Sequence, residues 1–136
     1  MASPADLRAY IQAMARHLPP SGARLRLVDV SGRCGDVLRQ GRADLDVTTA
    51  WPAVSASADA VTVLDVPLDE TLLRAALAAL RPGGRFIYIS TQGAVGPEWG
   101  NTLKNAGFTR ILVEPAFESS AALARGEKPH TAQTTQ

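Results

Sequence analysis

Two periods of apolar residues run along this chain. Leu7, Ile11, Met14 and Leu18 recur at helical spacing, after Ser3-Pro4-Ala5-Asp6 and before Pro19-Pro20. Ser3 suits the N-cap, Pro4 the first helical position and Asp6 the capping-box place, and the paired prolines stop the helix. From Leu25 to Val30 the run is almost continuously apolar, as in a parallel strand buried on both faces. A Gly-containing turn, Ser31 to Gly35, leads into a short helix near Asp36 to Gln40, and Asp44 to Thr48 reads as a second strand. The Pro/Ser/Ala-rich stretch from Trp51 to Asp59 reads as a loop. A third strand is expected over Ala60 to Val66, and a helix over Glu70 to Leu80 with Asp69 as cap and Leu72, Leu73, Ala76 and Leu77 on one face. Pro82-Gly83-Gly84 ends that helix, and Arg85 to Ser90 is β-rich. A loop over Gln92 to Gly96, a helix over Pro97 to Asn105 and strands over Thr109 to Glu114 and Phe117 to Arg125 complete the pattern. The turn at Pro115-Ala116 is too short for a parallel crossover, so the last two strands pair antiparallel.

Strand, helix, strand in this order predicts an α/β fold: a mostly parallel, Rossmann-like sheet with helices on both faces and an antiparallel C-terminal hairpin. Residues 1–125 form one domain, with a helix over 1–20 and the sheet core over 25–125. Residues 126–136 show no apolar periodicity and read as a flexible tail.

Composition narrows the partners. With a net charge of +1 there is no basic excess for nucleic acid and no polybasic run for a membrane surface. No apolar stretch approaches the roughly 20 residues that span a bilayer. Cys34 is the sole cysteine, which excludes an intrachain disulfide and a cysteine-pair zinc site. These features predict a cytoplasmic protein. Cys34 could be a thiol activated near a helix start, or a small filler of the turn. His17 and His130 read as solvated, Trp99 as a packing residue, and Trp51 as a pocket or interface residue.

Three segments, quoted as they stand, resemble the class I S-adenosylmethionine-dependent methyltransferase family: LRLVDVSGRCGDVL, DAVTVLDVPLDETLLRAALAALRPGGRFIYIS and LKNAGFTRILVEP. The resemblance implies S-adenosylmethionine as cofactor. It makes Asp29 the acid ending the first strand, Ser31, Gly32, Arg33 and Gly35 the glycine-turn positions, and Asp46 the acid for the ribose hydroxyls. Asp65, ahead of Pro67, stands where amino-methylating relatives carry an Asn/Asp-Pro-Pro-aromatic motif.

The chain departs from that family in three places. Gly-x-Gly-x-Gly becomes Ser31-Gly32-Arg33-Cys34-Gly35, with an arginine where a cofactor passes over the backbone. Asp46 lies 15 residues after Ser31 (46 − 31), against roughly 20 in dinucleotide folds. Only residues 49–59 stand where the family has helix, strand and helix, so one strand of the usual seven is missing. The expectation is therefore a methyltransferase-like domain with a degenerate cofactor site, acting as a non-catalytic binding module. Two alternatives stand beside it. One is a working methyltransferase with a reduced pocket and the N-terminal helix as lid. The other is an anion binder using the helix start after Gly35, with Arg33 as charge partner. The missing strand would leave Asp44 to Thr48 as a sheet edge, to be covered by the Trp51 loop or paired with a protein partner or a second copy.

Overall fold

The computed structural model describes residues 4–19, 24–51, 53, 55–91, 98–115 and 122–130. Along the chain run α1 (Pro4–Ala15), β1 (Leu25–Asp29), α2 (Gly35–Gly41), β2 (Leu45–Thr48), β3 (Ala58–Leu64), α3 (Glu70–Ala79), β4 (Leu80–Ser90), α4 (Glu98–Ala106), β5 (Thr109–Pro115) and β6 (Ala122–Glu127). The six strands form one sheet in the order β2-β1-β3-β4-β6-β5. β2, β1, β3 and β4 are parallel, and β6 runs antiparallel to both β4 and β5. The α/β architecture, the antiparallel end and the six-stranded count follow the sequence pattern.

Alternation along the strands splits the core into two layers. Leu25, Leu27, Leu45, Ala60, Ile87, Ile89 and Leu123 face α1 and α2, where they meet Tyr10, Ile11, Met14, Leu18 and Leu38. Val28, Val61, Val63, Phe86, Tyr88 and Ala124 face α3 and α4, where they meet Leu72, Leu73, Ala76 and Leu103. Each large buried side chain contributes about 1.5–3 kcal/mol, so α1 is a structural layer. Its buried face lies on the sheet, which corrects the lid expected of it.

Local chemistry sets the element ends. Asp69 caps α3 by accepting from the Leu72 amide at 2.8 Å. Gly107, at φ +111°, closes α4, with the Phe108 amide donating to the Leu103 carbonyl.

Three expectations need correcting. The Pro82-Gly83-Gly84 segment lies inside β4, which begins at Leu80, and does not form a turn ahead of it. Pairing with β3 jumps from Ala58↔Leu80 to Ala60↔Arg85, so the segment is a bulge. Gly83 takes φ +83°, and a Cβ on Gly84 would stand 2.9 Å from the Arg81 carbonyl and 3.1 Å from that of Asp59. β3 is shifted two residues earlier than expected, to Ala58–Leu64. β6 runs to Glu127, past the boundary placed at 125, and Lys128 still exchanges backbone hydrogen bonds with Gly83 and Gly84. The Ser3 cap, the loop over 92–96, the start of α4 at Pro97, the turn after Pro115 and residues 131–136 lie outside the described residues.

Candidate functional site

Strand order reverses at β1: the chain runs outward to β2 and then returns to β3 on the other side. Open α/β sheets bind ligands at such a switch point, beyond the carboxyl ends of the strands. A cavity of about 390 Å³ lies there, with Asp29, Gly32 and Gly35 on one side and Val47, Thr48 and Thr49 on the other.

Asp29 organises one wall. It ends β1 and is 1 % exposed. Its Oδ2 accepts from the Cys34 and Gly35 amides, both at 2.8 Å, and its Oδ1 accepts from Thr62 Oγ1 at 3.3 Å. A helix start carries unpaired N–H groups and partial positive charge. Here a carboxylate from within the chain already holds it. In the anion-binding alternative, an incoming anion would lie beside Asp29, which already holds the Cys34 and Gly35 amides, and Asp36 in the first turn. Arg33 is exposed.

The glycines serve other ends than those expected. The left-handed residue of the turn is Gly32, at φ +74°, so an arginine at position 33 costs the backbone nothing. Ser31 reaches back to Asp29, its hydroxyl 3.5 Å from Oδ1. A Cβ on Gly35 would stand 2.7 Å from Val47 Cγ1. Gly35 is thus the place where α2 closes on β2, and protein fills the space that its missing side chain leaves. Cys34 is fully buried, and burial first, then the Asp29 carboxylate, push its thiol up to about 12. The thiol is a filler of the turn.

Asp46 is not brought to this cavity. β2 alternates, with Leu45 buried and Val47 packed beneath α2, so Asp46 projects from the opposite face. It is in register with Arg26 of β1, and both line a separate depression of about 270 Å³ with Val28 and Thr48. The carboxyl end of β2 offers the hydroxyls of Thr48 and Thr49 instead. The alternation of Leu45, Asp46, Val47 and Thr48 was the signal for this, and it outweighs nearness to the strand end.

Asp65 follows β3 with φ +58°. Its carboxylate accepts from the Thr91 amide at 2.7 Å and the Thr91 hydroxyl at 2.6 Å, which ties the ends of β3 and β4 together. Beside it the Tyr88 hydroxyl donates to the Val66 carbonyl at 2.7 Å, and burial, then Asp65, raise the pKa of that phenol. Trp99 packs edge-on against Tyr88, as a packing residue. Trp51 is half-buried against the core layer that includes Val28.

His17 is a correction. It is 8 % exposed, not solvated, with Nε2 3.0 Å from Glu114 Oε1 and Nδ1 3.4 Å from an Arg125 nitrogen. His130 is exposed, its ring lying where a Cβ on Gly83 would fall. Among the described residues no group of three or more His, Cys, Asp or Glu could hold a metal ion, and no helix is long and apolar enough to cross a membrane.

With strand order and site geometry established, solved structures place the architecture. A chain of the complex between the Haloferax volcanii Trm112 methyltransferase activator and a methyltransferase matches at 15 % identity and TM-score 0.67, over 92 % of both chains. The chain has the class I methyltransferase fold. Geranyl diphosphate methyltransferase in complex with GPP and sinefungin matches at 12 % identity and TM-score 0.66, over 88 % of this chain and 78 % of that one. Haemonchus contortus phosphoethanolamine N-methyltransferase 2 in complex with S-adenosyl-L-methionine matches at 12 % identity and TM-score 0.60 over 88 % of this chain, which spans about half of that protein, 52 %. No family model matches the sequence, and no curated protein matches it.

Among the described residues the cavity wall from β2 and the residue after it is Val47, Thr48 and Thr49, the carboxylates of the lining are Asp29 and Asp36, and a side chain at Gly35 would meet Val47.

Proposed function

We propose that this domain is a protein-binding module on the methyltransferase fold and does not transfer methyl groups. One observation carries the reading: the acid expected to hold a ribose, Asp46, lies on the sheet face away from the Gly32 cavity. The commitment of Asp29 to the start of α2 adds to it, since that carboxylate has two amides to satisfy before any ligand. The exposed edge at β2 gives the module its surface, and a structural neighbour that was solved with a protein activator is in keeping with this use.

Calorimetry and thermal shift with S-adenosylhomocysteine test the reading. The expected outcome is no heat and no shift at millimolar ligand. Saturable one-to-one binding in the micromolar range would overturn it.

That result would favour a second reading, a methyltransferase with a reduced pocket. It draws on the cavity's position and its volume of about 390 Å³, inside the roughly 300–1,000 Å³ of small-molecule sites. It also draws on neighbours solved with S-adenosylmethionine and sinefungin. In that case Asp29, Ser31, Gly32, Arg33 and Gly35 would flank the amino acid end of the cofactor, Asp65 would lie nearest the methyl acceptor, and Asp46 would take no part.

A further inference from the structure

We infer that the β2 edge pairs antiparallel with the β2 edge of a second copy of this chain, with the two-fold axis passing through Val47. The inference rests on the interaction-module reading and names its partner and register.

The backbone dictates which groups are on offer. The Leu25 amide donates to the Asp44 carbonyl at 3.0 Å, and Leu25 is in register with Leu45. In a parallel ladder, residues that face the neighbouring strand alternate with residues that face away. Asp44, Asp46 and Thr48 therefore turn their backbone groups to β1, and Leu45, Val47 and Thr49 turn theirs outward, the Leu45 amide being taken by the Arg42 carbonyl at 3.3 Å. Among the described residues no strand lies beyond β2. Unpaired edges of this kind are templates for strand addition.

Self-pairing about a two-fold axis must be antiparallel, and its axis must fall on a residue. Of the four residues of β2, Leu45 is excluded because its amide is held by the Arg42 carbonyl, which leaves three positions. An axis at Asp46 sets two exposed carboxylates directly opposite each other, which is destabilising. An axis at Thr48 carries the pairing to Ala50, where the chain has turned and the Ala50 amide donates to Thr48 Oγ1 at 3.2 Å. An axis at Val47 avoids both faults. The two Val47 residues exchange both backbone bonds, the Leu45 carbonyl accepts from the Thr49 amide of the second copy, and Asp46 meets Thr48, a hydroxyl that can donate to it. Arg26, in register behind Asp46, offsets its charge. On the opposite face the two half-buried Val47 side chains meet. The joined sheet has twelve strands, six from each copy.

Cysteine cross-linking reads the register. Opposed residues of a hydrogen-bonded antiparallel pair have Cα atoms about 5.5 Å apart, inside the roughly 4.4–6.8 Å that a disulfide spans. Val47→Cys should give a covalent dimer in a glutathione redox buffer. Asp46→Cys should give none, because its own copy lies diagonally at about 7–8 Å. Buried Cys34 stays silent in both. The unaltered chain supplies a second measurement: sedimentation should show a dimer that dissociates on dilution, and exchange of the Val47 amide should slow at least tenfold as dimer forms. A folded Val47→Cys chain that does not cross-link, an equal cross-link from Asp46→Cys, a monomer at every concentration, or Val47 exchange indifferent to concentration would each overturn the pairing. A monomer that also ignores S-adenosylhomocysteine removes this pairing and leaves the proposed function standing.

Discussion

The two sides of β3 hold themselves together differently. On one side β1, β2 and α2 border a cavity and end, among the described residues, in an edge strand four residues long. On the other side β4, β6 and β5 are laced by charge. Arg85 bonds Glu127 at 3.2 Å and the His17 carbonyl at 3.0 Å, Arg110 lies 3.7 Å from Glu127, and Lys128 donates to the Leu80 carbonyl at 2.8 Å. Each side carries an aspartate at a strand end and glycines whose missing side chains leave no free space: Asp29 with Gly35, and Asp65 with Gly83 and Gly84. In both places the motif residues satisfy the protein itself. A family-like pattern can thus be kept for the sheet's sake, and its survival alone does not argue for a ligand.

The aspartates give the largest expected contrast. Asp29→Ala leaves two buried amides without an acceptor, at about 1–3 kcal/mol each. Urea unfolding should therefore show a loss of about 2–5 kcal/mol. Asp65→Gly loses both bonds to Thr91 but removes a left-handed strain of about 1–2 kcal/mol. It should change stability by no more than about 1 kcal/mol. Equal costs would mean that the two strand ends are anchored alike and that the contrast between the sides is false.

The glycines give the next. Gly35→Ala drives a methyl to 2.7 Å from Val47 Cγ1, an overpacking of about 1–3 kcal/mol that better helix propensity offsets by up to about 1 kcal/mol. In the Val47→Ala background the same change should cost little, with a coupling near 1 kcal/mol in a double-mutant cycle. Zero coupling would return Gly35 to a role in ligand approach.

How far the sequence reveals this depends on the range of the interaction. Helix ends were legible because their determinants are local: Asp69 caps α3 three residues from the amide it holds, and Gly107 closes α4. The strands and the antiparallel last pair followed from apolar runs and connection length, while the order β2-β1-β3-β4-β6-β5 came from the structure. The Pro82-Gly83-Gly84 bulge was not legible as a bulge, because its cause is the carbonyl of Asp59 and the backbone of Lys128. At the site, nearness to the end of the second strand pointed to Asp46 while motif spacing and strand alternation pointed away from it, and alternation decides which way a side chain faces. The capping of α2 by Asp29 could not be foreseen from a strand-end acid alone, since it needs the path of the turn.

His17 offers the smallest effect and the finest test of the laced side. It joins the end of α1 to β5 through Glu114 and to β6 through Arg125, positions 97 and 108 residues away. Burial lowers its pKa from 6.5, the Glu114 carboxylate opposes that shift, and Arg125 and Arg16 add to it. A histidine that is harder to protonate when folded stabilises the protein above its unfolded pKa. That contribution shrinks as pH falls below 6.5 and is gone once pH has passed through the lowered folded value. Stability should therefore decline as pH falls through 6.5 toward the lowered folded value, by less than either substitution effect above. His17→Gln, which keeps a donor for Glu114 but does not titrate, should flatten that part of the profile in urea unfolding at each pH. A decline that persists in His17→Gln would assign the pH response elsewhere and leave the tie between α1 and the β5 side a purely neutral one.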